Sequence, residues 1–264
     1  MNKDWMIKRL NKIKFNKPVL VEGLPGIGNV GKIAVDFIIE SLNAQKVFEI
    51  SSYSFANCVF VNEEGISELP KIEVFHKKRK GGDLFLVSGD IQPIDVRGCY
   101  EFCDNLLNLF QENGGKEIIT LGGMGMNNAP KKAKVYCAGT SKKIINSYKV
   151  DGVKTSGGIV GPIIGVSGLL LGLAKDRGLN GVTMLVETYG HPSYLGIKEA
   201  RELLKVLNTK LKLGLNMNDL DKEVKMIEEE IRDKIEKLTD IDKGNKLGFM
   251  KNKKKIVDTA NYFG

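Results

Sequence analysis

Pro18-Val-Leu-Val-Glu-Gly23-Leu-Pro25-Gly26-Ile-Gly28-Asn-Val-Gly31-Lys32-Ile33-Ala34-Val35 is the stretch that decides the fold. Its apolar run reads as a strand, its glycines as a tight turn, and the pattern from Asn29 onward as a helix. Gly26, Gly28 and Gly31 spell G-x-G-x-x-G, while Gly26, Gly31 and Lys32 spell the opening of a phosphate-binding loop, G-x-x-x-x-G-K. That loop next requires a Ser or Thr hydroxyl to hold Mg²⁺, and Ile33 stands there instead. An aliphatic side chain cannot ligate a hard cation that takes oxygen donors, so the phosphate-loop reading fails. A dinucleotide site needs an acidic residue about twenty positions on for the ribose, and Glu49 in the run 46–50 is placed for it. The plainer alternative is that Gly23, Gly26, Gly28 and Gly31 let a strand turn into a closely packed helix. A lone G-x-G-x-x-G does not separate the two, and the packing reading is preferred.

Working outward, apolar runs and helical patterns alternate through most of the chain. Strands are expected at 19–22, 47–51, 58–61, 72–75, 84–88, 117–121, 135–138 and 182–187. Helices are expected at 29–42, 96–113, 140–147, 162–176 and 194–212. This alternation implies a three-layer α/β domain around a largely parallel sheet. Residues 51–76 depart from it as a β-rich excursion turning at Asn62-Glu-Glu-Gly65. Gly122-Gly123-Met124-Gly125-Met126 and Gly157-Gly158-Ile-Val-Gly161-Pro162 read as loops at the ends of apolar runs. With the first glycine loop they either line one pocket beyond the strands' carboxyl ends or serve as tight turns.

After Lys212 the pattern changes. Leu220, Val224, Ile227, Ile231, Ile235 and Leu238 recur at spacings of three and four, which makes one narrow helical stripe between charged faces. Beyond Asp242 that periodicity stops. The expected organisation is an α/β domain over 1–214, a C-terminal helix over 215–243 packing on the domain or another subunit, and a flexible basic tail over 244–264.

With 42% hydrophobic and 27% charged residues, the 264-residue chain has ordinary globular composition and room for a sizeable core. The longest apolar stretch, 157–174, is interrupted by glycines, Pro162 and Ser167, so no membrane span is expected. The amino terminus has no apolar signal region, which reads as cytoplasmic. Cys58, Cys99, Cys103 and Cys137 make no ligand pattern with His76 or His191, so the cysteines are expected as small buried hydrophobes, with no metal. The net charge of +8 raises nucleic acid as a partner, yet the basic clusters lack interleaved aromatics, which disfavours it.

Gly23-Leu-Pro-Gly-Ile-Gly-Asn-Val-Gly-Lys32, Ser88-Gly-Asp-Ile-Gln-Pro93, Leu121-Gly-Gly123, Gly158-Ile-Val-Gly161 and Glu187-Thr188 occur in that order. Together they resemble the archaeal branch of the proteasome assembly chaperone family, over roughly residues 15 to 240. The resemblance implies a nucleoside-phosphorylase-like α/β fold without established catalysis or cofactor. It also implies self-association into a homo-oligomer and help in assembling rings of proteasome α-subunits. Some members of that family end in a hydrophobic–tyrosine–any-residue motif that docks between α-subunits. Here the last three residues are Tyr262, Phe263 and Gly264, with Phe263 in the tyrosine position.

A non-enzymatic assembly chaperone is therefore the preferred reading, with no catalytic residue assigned. In it Lys251, Lys253, Lys254 and Lys255 steer the tail, and Tyr262 and Phe263 anchor it beside the carboxylate of Gly264. The rival reading is a small-molecule or nucleotide-binding enzyme. It would use the loop residues Gly26, Gly28, Gly31 and Lys32, with Asp90 and Glu187 as further polar groups. For the stripe, burial of each side chain contributes on the order of 1.5–3 kcal/mol. Ile227→Asp is therefore expected to lower the melting temperature or the native mass; no change in either would make that helix a free arm.

Overall fold

Residues 4–155, 161–218 and 222 are described by the computed structural model. The chain runs β1 (Trp5–Arg9), β2 (Val19–Glu22), α1 (Val30–Ser41), β3 (Gln45–Ser52), β4 (Phe60–Val61), β5 (Ser67–Glu68), β6 (Ile72–Lys77) and β7 (Leu84–Gly89). It continues through α2 (Val96–Glu112), β8 (Glu117–Met126), β9 (Val135–Gly139), α3 (Lys142–Ser147), β10 (Val153–Lys154), α4 (Val166–Asp176), β11 (Asn180–Tyr189) and α5 (Ile197–Leu211). This is an α/β fold around one large sheet, in the order β1-β3-β6-β7-β2-β8-β11-β9-β10.

The central strands β7, β2, β8 and β11 run parallel. Every residue of β7 is buried, as its apolar run requires of a strand covered on both faces. Flanking strands depart from the largely parallel sheet expected: β1, β3 and β6 are antiparallel on one side, and β9 is antiparallel to β11 on the other. The sheet as a whole is mixed. The connections explain it, because β6 reaches β7 through a short turn, and only an antiparallel neighbour can be joined without a crossover.

Alternation along the strands separates two helical layers. Phe85 and Val87 face the cluster built on Phe102, Leu106 and Phe110 of α2, with Val166, Leu170 and Ala174 of α4 in the same cluster. Ser88 points the other way and donates to Asp36 of α1. α1 packs beside α5, and α2 beside α4. The α2 stripe starts at its cap, where the Asp95 side chain accepts from the Gly98 N–H at 2.7 Å.

Two elements differ from the sequence reading. The amino-terminal segment forms an edge strand, β1, held by Trp5, which lies 5.6 Å from Phe55 and 5.5 Å from Phe102. The stretch 122–126, expected as a loop, continues β8 and pairs with Leu185–Tyr189 of β11. The compact unit closes at Leu215, whose N–H and carbonyl both bond the Asn208 side chain. The stripe at 220–238 and the tail at 244–264 lie outside the described residues.

Glu22, at the carboxyl end of β2, is fully buried. Its Oε1 accepts from the Leu24 N–H at 3.1 Å and its Oε2 from the Ser167 hydroxyl at 3.0 Å. Desolvation outweighs both bonds and raises its pKa from 4.5 to about 7. An acid with a raised native pKa keeps its proton where the unfolded chain has lost it. Stability therefore falls as pH rises from about 4.5 to about 7 and is flat above. The penalty is on the order of 3 kcal/mol. Glu22→Gln keeps one oxygen to accept from the Leu24 N–H, turns an N–H donor toward the Ser167 hydroxyl as the protonated acid does, and cannot ionise. It is expected to match the parent near pH 4.5 and exceed it by about 1–3 kcal/mol at pH 8; urea melts at the two pH values check this.

Candidate functional site

β2 hands the chain to α1 through a 3-10 turn at Ile27–Asn29, with Gly28 and Asn29 in the left-handed region at φ 64° and 52°. Three of the loop glycines are accounted for by close packing, two against backbone and one against a side chain. A Cβ on Gly31 would stand 2.6 Å from the Leu121 carbonyl oxygen of β8, and one on Gly28 would stand 2.6 Å from Thr188 Oγ1 of β11. A Cβ on Gly23 would collide with the Gly31 carbonyl. Gly26 alone has space, its nearest contact being the Gln92 amide at 3.8 Å.

The pairing of β8 with β2 stops at Thr120, while its pairing with β11 runs on to Met126. This opens a wedge at the carboxyl ends of β2 and β8. The chain leaves β2 toward β3 on one side and leaves β8 toward β9 on the other, so the wedge is a topological switch point. A cavity of about 320 Å³ fills it, lined by Gly26 and Ile27, by Leu121–Gly125, and by Ile163 and Ser167 at the entrance to α4. Gln92 straps the walls together: its amide donates to the Pro25 carbonyl, and its oxygen accepts from the Val166 N–H at 3.1 Å.

Gly26 and Gly31 thus meet the glycines of β8 at one cavity, as one of the two sequence readings has it, while Gly157 and Gly158 lie outside the described residues. Gly28 packs behind it against Thr188. Lys32 does not line the cavity. It forms an ion pair with Asp36 at 2.8 Å and borders a separate depression with Glu73 and Asp90. The Asp90 carboxylate accepts from the Lys71 N–H at 3.1 Å. Glu187 of β11 accepts from Tyr136 Oη of β9 at 2.8 Å and from the Lys134 N–H just before β9 at 3.2 Å. Of the three polar groups offered for an enzyme site, Lys32 and Asp90 therefore share that depression and Glu187 stands apart, and no charged side chain is among the described residues lining the cavity. The described lining offers a phosphate no cation, and Ser167 is already committed to Glu22 and to the Leu121 carbonyl.

Sequence reasoning gave no role to Gln92 or Ser167. Gln92 lies inside the quoted run 88–93, but a glutamine has no spacing signature, and its two bonds reach residues 25 and 166. Among the described residues no group of three or more His, Cys, Asp or Glu is placed to hold a metal. Cys103 and Cys137 are buried as expected, and burial pushes the Cys137 thiol up to about 11, so it stays protonated at neutral pH. Cys58 departs from the expected burial and is exposed, because residues 57–69 pack on no core. Tyr262, Phe263, Gly264 and the lysines at 251 and 253–255 lie outside the described residues. For the loop, Gly31→Ala is expected to cost more than about 2 kcal/mol, since backbone must move on both sides. Lys32→Ala, which removes a half-exposed i,i+4 pair, is expected to cost under about 0.5 kcal/mol. Denaturant melts of the two variants compare them directly, and equal costs would contradict the packing account.

The PAC2 family model matches residues 20–235. An uncharacterized protein of Methanocaldococcus jannaschii is 32% identical over 241 residues, covering 88% of this chain and 90% of that one. The crystal structure of PbaB from Pyrococcus furiosus, an archaeal proteasome activator, is 33% identical, with a TM-score of 0.80 over 88% of this chain and 98% of that one. PbaA from the same organism, an archaeal homolog of proteasome-assembly chaperone, is 25% identical, with a TM-score of 0.73 over 90% of this chain and 94% of that one. A match across the β2 loop, the cavity strands and all five helices leaves little of the described chain outside it: this chain belongs to the PAC2 family.

Proposed function

We propose that this protein is a non-enzymatic proteasome assembly chaperone that self-associates and binds core-particle α-subunits. The observation that carries the reading is the likeness, over nearly the whole of each chain, to PbaB, a proteasome activator, and to PbaA, a homolog of proteasome-assembly chaperone. The cavity supports it from the other direction. An anionic group there would have to rely on backbone N–H groups alone, because the described lining contains no cation. Lys32, the one cation in the glycine motif, is engaged by Asp36 elsewhere.

In this reading the globular unit supplies the oligomer and the tail at 244–264 supplies docking. A flexible tail loses conformational freedom when it docks, and several tails on one oligomer offset that loss through effective concentration. The lysines at 251 and 253–255 raise the association rate toward an acidic rim. Tyr262 and Phe263 fill an apolar slot, with the Gly264 carboxylate fixing the register from the chain end. The second reading, a small-molecule protein, keeps one observation in its favour: two of the glycine segments, 23–32 and 122–126, line a single cavity at the switch point. Titration calorimetry with ATP, NAD and nucleosides tests it, and saturable tight binding of one of them would replace the chaperone reading.

The full chain is expected to recover α-subunits in a pull-down, and a chain ending at Lys243 to lose most of that recovery. Phe263→Ala should weaken binding by more than about 1 kcal/mol, and Phe263→Tyr should bind at least as well as the parent. Residues appended after Gly264 should be as damaging as the alanine change. Lys254→Ala should be milder and fade at high salt, where exposed charges are screened. Equal recovery by the full and shortened chains would remove the tail from the docking role.

A further inference from the structure

Residues 57–69 contain no buried residue, although the chain enters this segment beyond the buried Phe55 and leaves it at the buried Pro70. The segment is ordered by its own bonds. β4 and β5 pair only with each other, and Asn62 Oδ1 accepts from the N–H groups of Glu64 and Ile66 at 3.1 and 2.9 Å. A two-stranded hairpin alone in water is marginal at best. This one also exposes Val59, Phe60, Val61, Ile66 and Leu69, the last at 73%. At its base a groove of about 580 Å³ is lined by Met6, Val59, Leu69 and by Tyr53, itself 82% exposed. Contiguous apolar surface of this kind marks an interaction site.

β1 borders the same groove and ends the sheet, with no strand on its outer edge among the described residues. Such an edge is a template for pairing with another chain. The charges indicate which chain. Residues 57–69 carry Glu63, Glu64 and Glu68, the last paired with Lys71 at 2.6 Å, and no cation, whereas residues 5–17 carry Lys8, Arg9, Lys12, Lys14 and Lys17 and no anion. The two sets sit at opposite ends of β1. Trp5 pairs with Ser52, where the arm begins, while Arg9 pairs with Phe48 and Asn16 bonds Asp83 at the far end of the sheet. An antiparallel partner strand reverses those ends. Pairing β1 with β1 of a second copy therefore brings each acidic arm to the other copy's lysines, twice over by two-fold symmetry. In a chain of net charge +8, a second copy is repelled except where such a complement exists.

We propose that the β1 edge and the 57–69 arm form the surface through which two copies of this chain associate, with β1 pairing antiparallel to its own copy. The assignment rests on the self-association in the functional reading above and adds its site and symmetry. It is tested on the full chain without α-subunits, by native mass and sedimentation equilibrium. Glu63→Lys with Glu64→Lys should raise the self-association Kd at least tenfold, and Lys12→Glu with Lys14→Glu should do the same. All four changes together should restore association, because each arm again meets opposite charge. All the substituted side chains are exposed, so unchanged thermal melts separate interface loss from unfolding. A monomeric parent, an unaltered mass in both charge-reversed pairs, or no restoration on combining them would each overturn the proposal. A parent that associates through this edge yet recovers no α-subunit would overturn the proteasome reading and leave this surface standing.

Discussion

The approach of α1 to the Leu121 carbonyl is the constraint on which the rest of the fold depends. Gly31 lets the helix backbone come within a distance that a methyl group would close. This approach sets α1 over β7 and β8, and it leaves Ser88 to meet Asp36 on that face. The other face is then free for α2 and α4. The same approach stops β2 short, so β8 beyond Thr120 faces the glycine turn across a wedge rather than another strand. Gln92 bridges that wedge, and Ser167 closes its floor over Glu22. Cavity, strap and buried carboxylate all follow from one helix lying unusually close to one strand.

Sequence made the β2–α1 junction legible because apolar run, glycine turn and helical pattern adjoin within eighteen residues. The turn at Asn62-Glu-Glu-Gly65 was legible for a similar reason: an Asn side chain caps the turn locally, and Gly65 takes the left-handed conformation at φ 79°. Where pairing is long-range, the reading failed. Gly122, Gly123 and Gly125 resemble a loop until β11 supplies ten consecutive partners. In β1 only Trp5 is buried and the other four residues are exposed, which removes the alternation by which strands are recognised. The antiparallel flank was less legible because β3, β6 and β7 follow one another with no helix between them, and strand direction leaves no local mark in the sequence. Of the glycine loop, sequence grouped Lys32 with Gly26, yet helical phase turns the lysine toward Asp36 and away from the cavity.

Among the described residues the switch-point cavity has no charged lining, the candidate polar residues lie outside that cavity, and an arm on the sheet edge exposes apolar side chains. Such a distribution fits a protein that works by presenting surfaces. The PAC2 assignment supplies the context in which those surfaces would meet proteasome subunits.

Native mass spectrometry of the full chain mixed with proteasome α-subunits tests the central claim most directly. The predicted result is a species containing both proteins, heavier than the oligomer of either alone and reduced by salt in proportion to the tail's lysines. Only the separate masses of the two proteins, at concentrations where each is intact, would contradict the assignment of this chain to proteasome assembly.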